Sequence, residues 1–162
     1  MKNLKHLIAL TVALVFVGTA SVFAQQNGGF RIVTNHPDFK IKVVRCEASG
    51  KTCVIDLILE NTGSQDVRLS MYSSWGGSIA YDDEANQYNH FSVSIGSSGL
   101  GDMADVLLMS EVPVKARIQL EGVPASATMF RRMDIRFDCR EFGLDADKKV
   151  KFYNIPITHD GD

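Results

Sequence analysis

Three cysteines are the residues of this chain best suited to covalent chemistry. Cys46 and Cys53 lie close together, and Cys139 follows much later. In an exported protein, three cysteines allow one disulfide and one remaining thiol. The short spacing favours a Cys46–Cys53 disulfide across a hairpin. A Cys53–Cys139 bridge between two sheets and three unpaired, buried cysteines are the alternatives.

A run of carboxylates, Asp82-Asp83-Glu84, could bind a metal ion. Hard cations such as calcium prefer clustered carboxylate oxygens. The run lacks the alternating donors and the central glycine of a calcium loop, so a solvated turn is the competing interpretation.

Aromatic residues supply the candidate ligand-binding surface. Trp75 is the only tryptophan and lies between Ser74 and Gly76, while Tyr81 and Tyr88 flank the acidic run. An amphipathic ring on an exposed loop suits the recognition of a sugar ring or a peptide. The alternative is an indole that folds back over the end of the domain.

His36, His90 and His159 complete the set of residues that could do chemistry. None has a neighbour at metal-ligand spacing or belongs to a recognisable catalytic triad. The sequence therefore predicts no catalytic residues and no cofactor.

The element that must position these residues is a hairpin over residues 39–63. Its two halves alternate apolar and polar side chains, which is typical of strands with one buried face. A three-residue loop at 48–50 would match the two apolar faces and pair Val43 with Ile55. A two-residue turn at Ser49-Gly50 would instead place Cys46 opposite Cys53. A bulge at Val44-Arg45 is how the disulfide and the matched faces could coexist.

Short alternating runs recur along the rest of the chain at intervals of about ten residues, with turn residues between them and no helical period. This pattern predicts an all-β protein, an immunoglobulin-like antiparallel β-sandwich of about eight or nine strands. We expect residues 25–37 to form a leader and a short edge strand, residues 38–158 the sandwich, and residues 159–162 a polar tail.

Residues 1–24 have a basic start, a short apolar run and the ending Val-Phe-Ala, which are typical of a secretory signal peptide. They contain two of the 17 basic residues and none of the 19 acidic ones, so cleavage leaves a formal net charge of −4. This acidic balance argues against nucleic acid as a partner. A basic group, Arg131, Arg132, Arg136 and Arg140, is interleaved with Asp134 and Asp138, which predicts a cross-strand ladder of charge pairs. An acidic partner that binds this basic edge is the alternative.

Four segments carry a resemblance to a known family: residues 57–63 (LILENTG), 80–88 (AYDDEANQY), 112–124 (VPVKARIQLEGVP) and 133–137 (MDIRF). They resemble the small exported bacterial domains that share an immunoglobulin-like sandwich with secreted immunoprotective antigens. The resemblance implies the fold and a periplasmic or extracellular location. The chain departs from the family at Ala85, where glycine is expected.

These observations together predict a non-catalytic exported binding or assembly module. Its end loops, residues 72–78 and 94–104, would contact a polypeptide or glycan at the cell envelope. An enzyme or metal-dependent protein with a site assembled across loops, and a structural envelope component, are the alternatives.

Cleavage after Ala24 is the first testable prediction. We expect the exported protein to begin at Gln25, because small residues are required at the cleavage site. Mass spectrometry of the protein from the envelope or the medium measures this terminus. Ala24→Arg should block processing; an intact terminus in the unmodified protein would contradict the assignment.

Overall fold

A computed structural model describes residues 29–160, which form thirteen strands and one turn of 3-10 helix. The predicted signal peptide and residues 25–28 lie outside the described part. In chain order the strands are β1 (Arg31–Val33), β2 (Phe39–Ser49), β3 (Thr52–Asn61), β4 (Val67–Tyr72), β5 (Ile79–Asp82), β6 (Gln87–Tyr88), β7 (Phe91–Ile95), β8 (Met103–Leu108), β9 (Val114–Glu121), β10 (Met129–Ile135), β11 (Phe137–Asp138), β12 (Val150–Pro156) and β13 (Thr158–His159).

The strands form three sheets around one core. Their orders are β1-β12-β10-β5-β6, β11-β4-β8 and β13-β2-β3-β9-β7. All pairings are antiparallel except β13 with β2. The predicted all-β, immunoglobulin-like antiparallel sandwich is confirmed. The structure has more strands than the eight or nine expected, because several segments expected to form one strand are divided into two.

One such interruption joins two sheets. The chain passes from β10 in the first sheet through Arg136 into β11 in the second. The Arg136 carbonyl accepts from the Tyr72 N–H at 3.0 Å, and its own N–H donates to Ser78 Oγ at 2.8 Å. The third sheet packs against this layer, and Phe39 meets Phe137 edge-on with ring centroids 5.5 Å apart. The last strand, β13, includes His159, one residue beyond the expected end of the sandwich at residue 158.

The central hairpin, β2 and β3, keeps its apolar faces together by a bulge. The pairing shifts between Val43 and Arg45, so inward positions have odd numbers before the bulge and even numbers after it. The predicted bulge is confirmed, but both predicted registers are wrong. The turn is Gly50-Lys51, with Ser49 opposite Thr52. Gly50 has a φ of 60°, which a two-residue hairpin turn with glycine at its first central position requires.

Gly50→Ala tests this turn. We expect the free energy of unfolding to fall by about 1 to 2 kcal/mol, because a Cβ disfavours a positive φ. No atom lies within 4 Å of the added Cβ, so the loss is purely conformational. Urea unfolding measures it.

The matched control is Gly99→Ala, which also places its Cβ in open space but lacks a positive φ. It should not destabilise the protein. Equal losses in both variants would contradict the assigned turn.

Candidate functional site

The candidate site is built on the turn that carries Trp75. Ser74–Gly76 form one turn of 3-10 helix, capped by Ser73, whose Oγ accepts from the Trp75 N–H at 3.3 Å. The indole is 85% exposed. The indole is therefore exposed, as predicted, and does not fold back over the end of the domain.

Buried serines and neighbouring strands hold this turn in place. Ser73 and Ser78 are both buried. Ser78 Oγ donates to the Tyr72 carbonyl at 2.8 Å and accepts from Arg136, whose guanidinium lies 4.3 Å from the centre of the Tyr72 ring. A Cβ on Gly76 would lie 2.3 Å from the Tyr72 Cβ, so only glycine fits there. These contacts hold the turn in place beneath the exposed indole.

The two predicted end loops meet at this turn. The Ser73 N–H donates to the Asp102 carbonyl at 2.8 Å, and Ser73 Oγ donates to Asp102 Oδ1 at 3.2 Å. Asp102 belongs to the 94–104 segment, whose Gly101 exchanges both backbone hydrogen bonds with Val93 of β7. These contacts bring residues 72–78 and 94–104 together on one surface.

An open cleft of about 260 Å³ lies beside the indole and is called the Trp75 cleft below. Its polar lining carries two carboxylates and no lysine or arginine. Its lining includes Trp75, His90, Ser92, Asp102, Gln119 and Glu121. Neither carboxylate forms a salt bridge with a residue of the described range 29–160. Asp102 accepts a hydrogen bond from Ser73, and Glu121 accepts hydrogen bonds from Thr52 and Gln119. An aromatic ring beside carboxylates that lack a cationic partner can bind a cation or hydrogen-bond donors next to an apolar surface.

The structure does not bring Tyr81 and Tyr88 to this cleft. Tyr81 pairs with Gln87 and Arg132 in the first sheet. Tyr88 is only 6% exposed, and its hydroxyl donates to Asp82 Oδ2 at 2.7 Å. Burial and this bond raise the pKa of Tyr88. Its predicted ligand-binding role is corrected, because a buried ring cannot contact a ligand.

The predicted metal site is also corrected: no group of three metal-ligating side chains occurs within residues 29–160. The three carboxylates of the acidic run point to different partners. Asp82 is 3% exposed and accepts bonds from Asn86, Tyr88 and the Glu84 N–H. Asp83 accepts from Thr128 and Met129, and Glu84 from Ser126. The run is a structural turn.

Ala85, the departure from the family resemblance, lies at the end of this turn. Its φ is 66°, a conformation that glycine adopts without strain and alanine does not. The position therefore has the backbone for which glycine is expected.

The predicted Cys46–Cys53 disulfide is not formed. The two sulfur atoms lie 3.7 Å apart, against roughly 2.05 Å in a disulfide. Cys46 pairs with Ile55 and Cys53 with Ala48, so the two thiols are diagonal neighbours on the buried face. The hydrogen bond with Cys53 and burial raise the pKa of Cys46. The alternative bridge is absent too, since all three cysteines are free and Cys139 bonds to Glu141.

The histidines occupy separate surroundings. His36 packs on Phe142, and His159 Nε2 bonds to the Ala127 carbonyl at 2.7 Å, whereas His90 lines the Trp75 cleft. The basic group does not form the predicted cross-strand ladder: Arg132 pairs with Asp134 and Arg136 with Asp138, each only two residues further along the chain.

Sequence reasoning did not find the roles of Asp102, Gln119 and Glu121 in the cleft. Gln119 and Glu121 alternate with the core residues of β9 and read as ordinary outward positions. The pairing of β7 with β9, together with the bonds of Gly101 to Val93 and of Ser73 to Asp102, brings them near Trp75.

Comparisons with known proteins give distant structural similarity only. No family model matches the chain, and no curated protein matches it. The periplasmic chaperone SfaE is similar at a TM-score of 0.42 and 10% identity, over 76% of this chain and 57% of the chaperone. The CooA pilin subunit of enterotoxigenic Escherichia coli has a TM-score of 0.34 and 11% identity, over 78% of this chain and 99% of the pilin.

A family 123 glycoside hydrolase from Clostridium perfringens is similar at a TM-score of 0.40 and 12% identity, over 81% of this chain and 27% of the hydrolase. These similarities concern the fold alone. Within the described residues, no helix has the length and apolar character needed to span a bilayer.

Asp82→Asn tests the structural role of the acidic turn. The Asn Nδ2 would face the donors of Asn86 and Tyr88, so we expect a loss of about 2 to 3 kcal/mol in unfolding free energy. Glu84→Gln, which changes an exposed residue with one bond to Ser126, should stay within about 0.5 kcal/mol.

The pH dependence of stability gives a second test of the role of Asp82. Burial disfavours its charged form, but hydrogen bonds from Asn86 and Tyr88 outweigh burial and lower the pKa. A carboxyl whose folded pKa is depressed stabilises the fold above its unfolded pKa of about 3.9 and loses this stabilisation as the pH falls through the folded value. Thermal unfolding from pH 7 downwards should show a larger loss in the native protein than in Asp82→Asn, which keeps Asp83, another carboxyl whose pKa is lowered, by its hydrogen bond from Thr128. Parallel curves for the two proteins would contradict it.

Proposed function

We propose that this protein is an exported, non-catalytic binding module that recognises a polypeptide or glycan of the cell envelope through the Trp75 cleft. The observation that carries the proposal is the 85% exposed indole on a hydrogen-bonded mount beside an open cleft. The signal-like residues 1–24 support export.

Physical reasoning favours a binding role for this arrangement. A large apolar ring left in water gains free energy when a partner covers it, and tryptophan is enriched among residues that dominate binding energy. The backbone around the ring is fixed before binding, so little conformational entropy is lost on association. The described residues offer the cleft as a recognition surface, with polar groups that can orient a ligand.

Trp75→Ala should weaken recognition without unfolding the domain. We expect at least tenfold weaker retention of the partner from the native envelope fraction, because a buried tryptophan anchor contributes about 2 kcal/mol or more. Affinity capture followed by mass spectrometry of proteins and glycans measures retention, and thermal unfolding should be unchanged.

The control is Val44→Ala, which truncates another exposed apolar residue, at the bulge of β2. It should leave retention intact. If Trp75→Ala unfolds the domain, the indole is structural; if both variants retain the partner equally, the cleft is not the recognition surface.

A further inference from the structure

The second sheet ends in a strand with a free edge. Its order is β11-β4-β8, so β8 pairs with β4 on one side only. On the other side, β7 lies close to β8, but their one backbone pairing is that of Val93 with Gly101, just before β8. No strand of residues 29–160 pairs with the outer side of Met103–Leu108. We call the outer side of residues 103–107 the β8 edge.

The direction of each backbone group on β8 follows from its neighbours. In an antiparallel ladder, the N–H and C=O of one residue point to the same side and alternate along the strand. Gly101 points to β7, since it exchanges bonds with Val93, whereas the Asp102 carbonyl points to Ser73 beside β4. The N–H and C=O groups of Met103, Asp105 and Leu107 therefore point outward along the β8 edge.

The side chains of the same residues leave this edge open. Met103 and Leu107 are 50% and 53% exposed, and Met109 continues the apolar stripe beyond the strand. Free edges are usually protected by lysine, proline or a bulge, and β8 has none of these. Its one charged residue, Asp105, accepts a hydrogen bond from Ser70 Oγ on β4 at 2.5 Å.

The β8 edge is continuous with the Trp75 cleft. Asp102 precedes β8 and lines the cleft, as does Phe91 at the start of β7. A strand added beside β8 would begin next to Met103, because Gly101 is already paired, and its end would reach the cleft.

We propose that the β8 edge binds an extended polypeptide segment of another protein, which adds as a strand and places a lysine or arginine in the Trp75 cleft. The inference rests on the proposed function and narrows its ligand to a polypeptide. An extended peptide carries its own row of backbone donors and acceptors, which complements the row on the β8 edge. A sugar chain has no such row. The apolar stripe selects apolar side chains at alternate positions.

Charge decides between another protein and a second copy. The cleft carboxylates Asp102 and Glu121 have no cationic partner in residues 29–160, so they complement a basic side chain. A second β8 has no lysine or arginine, and an antiparallel pair centred on Asp105 would bring two carboxylates opposite each other. The partner segment is therefore apolar and basic.

A random heptapeptide library, displayed on phage and selected on the exported protein, tests this inference. We expect selected peptides to alternate apolar residues and to carry lysine or arginine near one end. In the complex, hydrogen exchange by NMR should slow at the Met103, Asp105 and Leu107 amides. The Ala104 and Val106 amides, already bonded to β4, should change little.

Leu107→Pro removes one outward N–H while leaving the bonds to β4, since proline is tolerated at an exposed edge. It should weaken the selected peptides about tenfold beyond Leu107→Ala, which keeps the N–H. If the proline variant fails to fold, peptides N-methylated at the facing position provide the same test on the native protein.

Equal binding to both Leu107 variants, or exchange protection without the alternation, would overturn the inference. Binding on a glycan array that depends on Trp75, with no peptide selected, would overturn it and leave the proposed function standing. Sedimentation that shows a dimer lost in Leu107→Pro would overturn it in favour of a second copy. Loss of Trp75 dependence for every ligand would instead contradict the proposed function.

Discussion

The inner face of β3 must be kept from water, and most of the fold depends on this constraint. Cys53, Ile55, Leu57 and Leu59 are each at most 1% exposed, and β3 lies between β2 and β9 in the third sheet. Burying a large apolar side chain stabilises the fold by about 1.5 to 3 kcal/mol. The bulge in β2 serves this burial. Because the bulge shifts the register by one residue, apolar side chains at both ends of this long strand point inward.

Buried polar side chains form hydrogen bonds with nearby residues, and these bonds hold the candidate site in place. Within residues 29–160 no buried side-chain nitrogen or oxygen lacks a hydrogen-bond partner. The buried Asp82 closes the acidic turn, and the buried Ser73 and Ser78 close the tryptophan turn. An unpaired buried polar group costs about 1 to 3 kcal/mol, so these networks hold each turn in one conformation. A fixed turn can then support an exposed indole.

The edges of the sheets are treated unequally. The β2 edge of the third sheet is partly covered by β13 and carries lysines along its outward face, and β1 covers β12 in the first sheet. The β8 edge has neither cover nor lysine. Covered and charged edges resist pairing with other chains, whereas an open apolar edge permits it. The difference leaves β8 open to the addition of a strand.

The sequence by itself determined the all-β class, the alternation of the central hairpin and the bulge near Val44, because period-two patterns and local turn chemistry are encoded by neighbouring residues. It also singled out Trp75 as a candidate binding residue. The hairpin register could not be deduced from the sequence. The bulge shifts the pairing partway along β2, so matching the apolar faces does not determine where the turn lies. Tertiary structure alone decided that Tyr88 and Asp82 are buried together and that Cys46 and Cys53 are diagonal neighbours. It also brought Asp102, Gln119 and Glu121 beside the indole, because contacts between distant strands depend on sheet order, which residue patterns within one strand do not carry.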